Sequence, residues 1–331
     1  MANVLLSEVT RTAMGIFGGK KVFDPEKDIP DLSGKAALVT GGNAGIGAGF
    51  VRALAAHNPE NIYLCARTQS SADATAQAVK EKHPKANITI VTLDLNSFDS
   101  VKKCAAEITA KAPRLDYLFL NAGISATSPA LTKEGYETEF GINHMGHALF
   151  LQLLMPTVLA TKKNHPDADV RITLTSSIAA RQLSPKTLVL SQMQTPAEKL
   201  HPMARYGHSK LANVLFARKL ATLYPSITTT SHHPGTVKSE IWGKATDLKL
   251  LVALFSPVVW LTGVDTDVGA ETGLWCVFAG RGKGKVESGK YYEPVGQEVS
   301  NERFNEKNAE ELWEWTNGEL EKHGGKGWPE A

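Results

Sequence analysis

Cysteine is scarce in this chain: Cys65, Cys104 and Cys276 are the only three in 331 residues. They form no C-x-x-C pair and lie in apolar runs, which excludes a disulfide framework and a cysteine-built zinc site and suits a reducing compartment. An intracellular, cytoplasmic protein is expected. Long hydrophobic runs are missing too. No stretch reaches the ~18 uninterrupted apolar residues of a membrane span, and the N-terminus lacks the apolar core and cleavage site of a secretory signal. Charge of one sign is also lacking: 36 Lys+Arg stand against 34 Asp+Glu, a formal net charge of +2. That balance excludes a nucleic-acid binder working through bulk charge. With 42% hydrophobic and 21% charged residues, the composition is that of a globular chain with a core of its own.

Repeats, low-complexity segments and Pro/Gly/Ser-rich linkers are absent as well, so one domain is the simplest organisation. Short apolar runs recur with helical patterns between them: Ala36–Val39, Ile62–Cys65, Ile88–Leu93, Leu115–Leu120, Ile172–Leu174 and Ile227–Ser231. Strands apolar on both faces, alternating with helices, demand a parallel sheet covered on both sides. The class is therefore α/β, a doubly wound parallel sheet, over residues 34–300. Residues 1–33 form an N-terminal extension. Arg11, Lys20 and Lys21 give it the weakest form of a mitochondrial presequence, while Glu8 and the shortage of arginine favour a lead-in that packs on the domain or stays mobile. Residues 301–331 form a helical tail, with an exposed helix over Asn305–Leu320 carrying Trp313 and Trp315 and ended by Gly324-Gly325, expected to dock on the domain.

Directly after the first strand comes Thr40-Gly41-Gly42-Asn43-Ala44-Gly45-Ile46-Gly47, followed by a helical pattern. Strand, glycine turn and helix aim backbone N–H groups at a pyrophosphate with no Cβ in the way. The expected contacts are Gly41, Asn43, Gly45, Ile46 and Gly47. The second strand ends on Arg67 with no acidic residue before Asp73. A guanidinium there holds a 2′-phosphate where a carboxylate would take a free hydroxyl, so NADP (NADPH) is expected as cofactor. A solvated loop arginine is the bland alternative. Asp94-Leu95 follows the third strand and Asn121-Ala122-Gly123 the fourth. Asp94 also reads as a helix N-cap.

Tyr206-Gly207-His208-Ser209-Lys210 opens a helical segment, and positions four apart share one face. A phenol of ordinary pKa near 10 needs ~4 kcal/mol of preferential phenolate stabilisation to carry protons at pH 7, and a neighbouring ammonium supplies part of it. Ser177 ends the run Arg171–Ser177, at the sheet edge where α/β proteins bind ligands. Asn143 lies in a helical stretch, where an amide is unfavourable unless its side chain has a partner. His233-Pro234-Gly235-Thr236-Val237-Lys238-Ser239 follows the sixth strand. His144 and His147 share a helical face, but without H-E-x-x-H or a cysteine cluster no metal is expected.

From about Lys35 to Tyr292 these motifs, in this order, resemble the short-chain dehydrogenase/reductase superfamily, with its T-G-x-x-x-G-x-G turn. Tyr206–Phe216 and His233–Trp242 are similar to the retinol-dehydrogenase-like branch and related fungal reductases. The resemblance implies a Rossmann fold. It implies a catalytic tetrad of Asn143, Ser177, Tyr206 and Lys210, with Asn143 anchoring a water. It places Asp94 and Leu95 by the adenine, Asn121, Ala122 and Gly123 at the cofactor support, and Pro234, Gly235, Val237 and Ser239 at the nicotinamide. Tyr206 and Lys210 also touch the cofactor. Thr236 and Ser239 depart from the commonest residues of their motif. The implied reaction is hydride exchange between NADP(H) and a carbonyl or alcohol; elimination, epimerisation, cyclisation or a non-catalytic NADP(H) sensor are the rivals. The 29 positions from Ser177 to Tyr206 should wall the substrate site. Leu248–Leu261, rich in Leu, Val, Phe and Trp, reads as a lid for a lipophilic substrate, with a core helix or peripheral membrane contact as alternatives. Homo-oligomers are usual in the family.

Overall fold

Strands apolar on both faces form a sheet with both faces covered in the structure, a computed structural model describing residues 22–238, 263–282 and 285–331. Eight strands run β1 (Ala36–Thr40), β2 (Asn61–Ala66), β3 (Ile88–Thr92), β4 (Tyr117–Leu120), β5 (Arg171–Thr175), β6 (Thr228–His232), β7 (Tyr291–Glu293) and β8 (Gln297–Glu298). Their order is β3-β2-β1-β4-β5-β6-β7-β8. All pairings are parallel except β7 with β8, which is antiparallel at the edge. The six expected strands are present. The last two, of three and two residues, are too short to show a period. The sheet is the doubly wound Rossmann arrangement, and its order reverses between β1 and β4, the point at whose strand C-termini such sheets take their ligands.

Helices α1 (Gly45–Ala55), α2 (Gln69–Lys82) and α6 (Thr266–Phe278) cover one face; α3 (Phe98–Lys111), α4 (Gly146–Asn164) and α5 (Pro202–Leu223) cover the other. Phe23, Ile29 and Leu32 of the lead-in are buried with the apolar side chains of α1 and α6. The last helix, α7 (Glu306–Lys322), starts at Asn305, whose side chain accepts from Asn308 N at 2.9 Å. It docks on the domain, burying Leu312, Thr316 and Leu320 on the face covered by α3, α4 and α5 and stacking Trp313 on Phe216 at 5.6 Å. Each leucine so buried contributes ~2 kcal/mol of transfer free energy. Among the described residues no helix is long and apolar enough to cross a membrane.

Candidate active site

At the reversal point one hydroxyl and one amide tie three strand ends together. Thr40, the last residue of β1, accepts hydrogen bonds at Oγ1 from the backbone N–H of Asn121 (2.8 Å) and Ala122 (3.0 Å). Asn121 Nδ2 donates back to the Thr40 carbonyl (3.1 Å), and its Oδ1 accepts from the Thr175 hydroxyl at the end of β5 (3.3 Å). His147 completes the junction. Burial pushes its pKa down to about 4, so the ring is neutral. Its Nδ1 lies 3.0 Å from the Asn143 carbonyl, which can only accept. Nε2 is then the acceptor for the Thr40 hydroxyl at 2.9 Å.

The glycine turn is closed on itself. Gly41 has φ +67°, and a Cβ at Gly47 would stand 2.1 Å from the Gly41 carbonyl oxygen. Ala44, at the N-cap of α1, provides no side-chain capping bond, so the first N–H groups are left uncapped by it. That pattern fits a dinucleotide pyrophosphate. Asn43 Nδ2 donates to Ser71 Oγ (2.9 Å), and its carbonyl accepts from Thr75 (2.8 Å), which ties the turn to α2. Arg67 is exposed one residue past β2, without a hydrogen bond or ion pair among the described residues.

Asp94 is not a helix N-cap: Ser97 caps α3, and Asp94 Oδ1 accepts from Asn96 N (3.0 Å) in a tight turn. Leu95 is buried. Ile46 and Val237 meet over Gly269 of α6, where an added Cβ would stand 3.4 Å from one and 2.6 Å from the other. Gly235, at φ +85°, lies against Pro294, where an added Cβ would stand 3.2 Å from the proline ring. Ser239 and the Leu248–Leu261 stretch lie outside the described residues.

Helix α5 starts at Pro202, one turn before Tyr206. Buried Lys210 donates from Nζ to the Thr175 carbonyl (3.0 Å) and lies 5.6 Å from the centroid of the Tyr206 ring. Burial lowers its pKa to about 8, with the Glu139 carboxylate opposing. A Cβ at Gly123 would stand 3.3 Å from that ammonium and 2.9 Å from Asn143 Oδ1, so the N-A-G loop borders both residues. Asn143 sits in a single π-helical turn, Gly141–Met145, rather than a regular helix. Its amide exchanges hydrogen bonds with the backbone of Ile124 (2.9 and 3.0 Å) and donates to Ser209 Oγ (2.9 Å), bracing α5. Ser177 lies two residues past β5, its hydroxyl half-buried and accepting from Ala179 N (3.2 Å). Next to it, Ser176 Oγ donates to the Lys210 carbonyl at 2.8 Å.

Sequence reasoning passed over several groups gathered here. Thr40 and His147 form the junction described above. Glu137, Glu139 and Arg205 are all buried beside the tetrad. Arg181 makes a two-pronged pair with buried Glu293 (2.6 and 3.1 Å). Two acids two apart, just ahead of Asn143, were the available signal for the buried cluster.

A short chain dehydrogenase family profile matches residues 35–191. A short chain dehydrogenase/reductase of Colletotrichum higginsianum is 34% identical over 287 residues, spanning 81% of this chain and 70% of that one. Human retinol dehydrogenase 12 is 33% identical, with 85% of each chain covered. The NADPH-bound carbonyl reductase from chicken fatty liver superposes with a TM-score of 0.60 at 25% identity, over 80% of this chain and 98% of that one. Relatives this similar along most of both chains decide the matter: the protein belongs to the short-chain dehydrogenase/reductase family of hydride-transfer oxidoreductases, in its retinol-dehydrogenase-like branch.

Proposed function

We propose that the protein is an NADP(H)-dependent oxidoreductase that exchanges hydride with the carbonyl or alcohol carbon of a lipophilic small molecule. The observation that carries this reading is the buried Lys210 ammonium, anchored on the Thr175 carbonyl and facing the Tyr206 ring. NADP(H), when bound, supplies or takes the hydride. The uncapped start of α1 would hold its pyrophosphate and Arg67 its 2′-phosphate, with Asp94, Leu95, Asn121, Ala122, Gly123, Pro234, Gly235 and Val237 around the rest. A related carbonyl reductase was crystallised with NADPH, which favours the same cofactor here.

The side chains divide the proton work. In reduction, Tyr206 gives its hydroxyl proton to the substrate oxygen, while Ser177 donates a hydrogen bond to that oxygen. Lys210 stabilises the phenolate left behind by its charge. Asn143 keeps α5 in register through Ser209, so that the ring and the ammonium stay on one face. A small apolar cluster of Ala126, Leu183 and Met203 packs round Tyr206, which favours an apolar substrate. One relative is named for retinol, an apolar alcohol. The three cysteines are buried free thiols, in keeping with a cytoplasmic location.

The test is NADPH consumption across lipophilic aldehydes and ketones, with products identified by mass and Tyr206→Phe run alongside. The expected result is turnover that falls at least a hundredfold in the variant while NADPH still binds. Tight NADPH binding without turnover of any compound, or products of elimination or epimerisation, would overturn the reading.

A further inference from the structure

Two buried alanines hold a backbone conformation that L-residues avoid. Among the described residues, Asn58, Ala126 and Ala197 are the only ones besides glycine with positive φ, and asparagine tolerates that region. Ala126, at φ +51°, lies in the loop after β4; Ala197, at φ +50°, lies in the wall between Ser177 and Tyr206. A left-handed alanine carries roughly a tenfold population penalty, so contacts outside each residue must hold it there.

One buried side chain reaches both segments. Arg205 Nη2 donates to the carbonyl of Thr127, the residue after Ala126, at 2.6 Å. Its Nη1 donates to the carbonyl of Leu200 at 3.1 Å, and the Leu200 N–H donates to the Ala197 carbonyl at 3.0 Å. Its Nε lies 3.6 Å from Glu137 Oε1. Glu137 donates its own N–H to the Met193 carbonyl in the wall (2.8 Å), and its Oε2 accepts from Phe140 N (2.7 Å) at the entry to the Asn143 turn. The guanidinium therefore gathers the loop after β4, the wall and the lead-in to the Asn143 turn. From the other side Glu139 grips Thr127, its Oε1 accepting from the N–H (2.7 Å) and the hydroxyl (3.2 Å).

Arg205 immediately precedes Tyr206, and the segment it holds packs on that ring. Ala126 and Met203 form the small apolar cluster on which Tyr206 and Leu183 rest. Release of the Thr127 carbonyl would let Ala126 return to negative φ, and its contact with the ring would go with it.

We propose that Arg205 is a positioning residue for Tyr206: its guanidinium holds the left-handed segments at Ala126 and Ala197 together and so fixes the surface on which the Tyr206 ring rests. The inference rests on the reading of Tyr206 as proton donor, but one arm of its test needs no turnover. Arg205→Lys keeps the charge and loses the fork, since a single ammonium cannot span two carbonyls and a carboxylate as the planar guanidinium does. In the full chain labelled with 3-fluorotyrosine, the Tyr206 fluorine resonance, assigned through Tyr206→Phe, should shift or split in Arg205→Lys. The remaining tyrosines serve as controls for the fold. The value of kcat should fall about tenfold, the population penalty of one released alanine, with the NADPH dissociation constant unchanged. Glycine bears no left-handed cost, so in an Ala126→Gly background the Arg205→Lys shift should narrow and its kcat loss should drop to about threefold or less. An arginine that only stabilised the fold would lower the melting temperature, leave the resonance and kcat of the folded protein in place, and be indifferent to Ala126→Gly. Should Arg205→Lys not fold, Glu137→Gln, which removes the anion beside Nε, is read in its place and should move the same resonance. An unmoved Tyr206 resonance in the variant read, or a kcat loss as large in the Ala126→Gly background as without it, overturns the proposal. A moved resonance in a protein that reduces no carbonyl would keep Arg205 as the residue that positions Tyr206 and remove only the redox reading.

Discussion

Arg67 and Lys210 show how burial divides the work between two cations. Arg67 is exposed one residue past β2 and can meet a phosphate without being desolvated first. A hydrogen bond to a charged group is worth about 1.5–3 kcal/mol, or roughly 10- to 150-fold in affinity. Calorimetric titration of Arg67→Ala should show NADPH binding weakened by at least about tenfold, with NADH affinity unchanged. Equal losses for both cofactors would show that Arg67 does not read the 2′-phosphate. Lys210 is the opposite case, buried and held on the Thr175 carbonyl, so its proton is easily lost. Its role was legible in the sequence because Tyr206 and Lys210 are four apart on one helix. Its weakened hold on the proton was not, because the cause is burial, which the Glu139 carboxylate, 71 positions away in the chain, only partly opposes.

Among the elements, the β1–α1 turn is the one most rigidly determined by residue type. A Cβ at Gly47 would lie 2.1 Å from a backbone oxygen, and backbone cannot swing aside as a flexible side chain can. Gly47→Ala should therefore destabilise the fold by about 1–3 kcal/mol, as overpacking does. NADPH affinity should fall with it, since the uncapped N–H groups of α1 move with the turn; thermal melts with and without NADPH check both. The π-helical turn at Asn143 is a different kind of element. Nothing in Phe140–Gly146 distinguishes it from ordinary helix by period, and it depends on contacts made elsewhere, to Ile124, Ser209 and His147. Helix α7 is intermediate: its span was readable from Asn305 and Gly324. Its buried face was not, because Thr316 and Glu319 find their partners in His144, Tyr136 and Gln194, all far off in sequence.

Across the whole molecule, three buried histidines link the fold to acid. Burial pushes His144 and His232 down to about 3 and His147 to about 4, below the ordinary value of 6.5. A histidine kept neutral in the fold adds stability that is present above its unfolded pKa and is lost as pH falls toward the folded one. Between about pH 6 and 4, each proton taken up only by the unfolded chain costs about 1.4 kcal/mol per pH unit. Denaturant titrations over that range should find the slope reduced by about this amount in His144→Gln; an unchanged slope would mean that His144 is protonated in the fold. By itself the sequence determined the α/β class, six of the eight strands, the glycine turn and the Tyr206–Lys210 pair. These rest on local periods, chain order and short spacings. Tertiary structure alone decided the rest: the antiparallel edge of β7 and β8, the Thr40–His147–Asn143 junction and the buried Glu137–Glu139–Arg205 cluster. In each of these the partners are distant in the chain, and whether a carboxyl, an imidazole or an ammonium keeps its charge depends on the water that packing removes from around it.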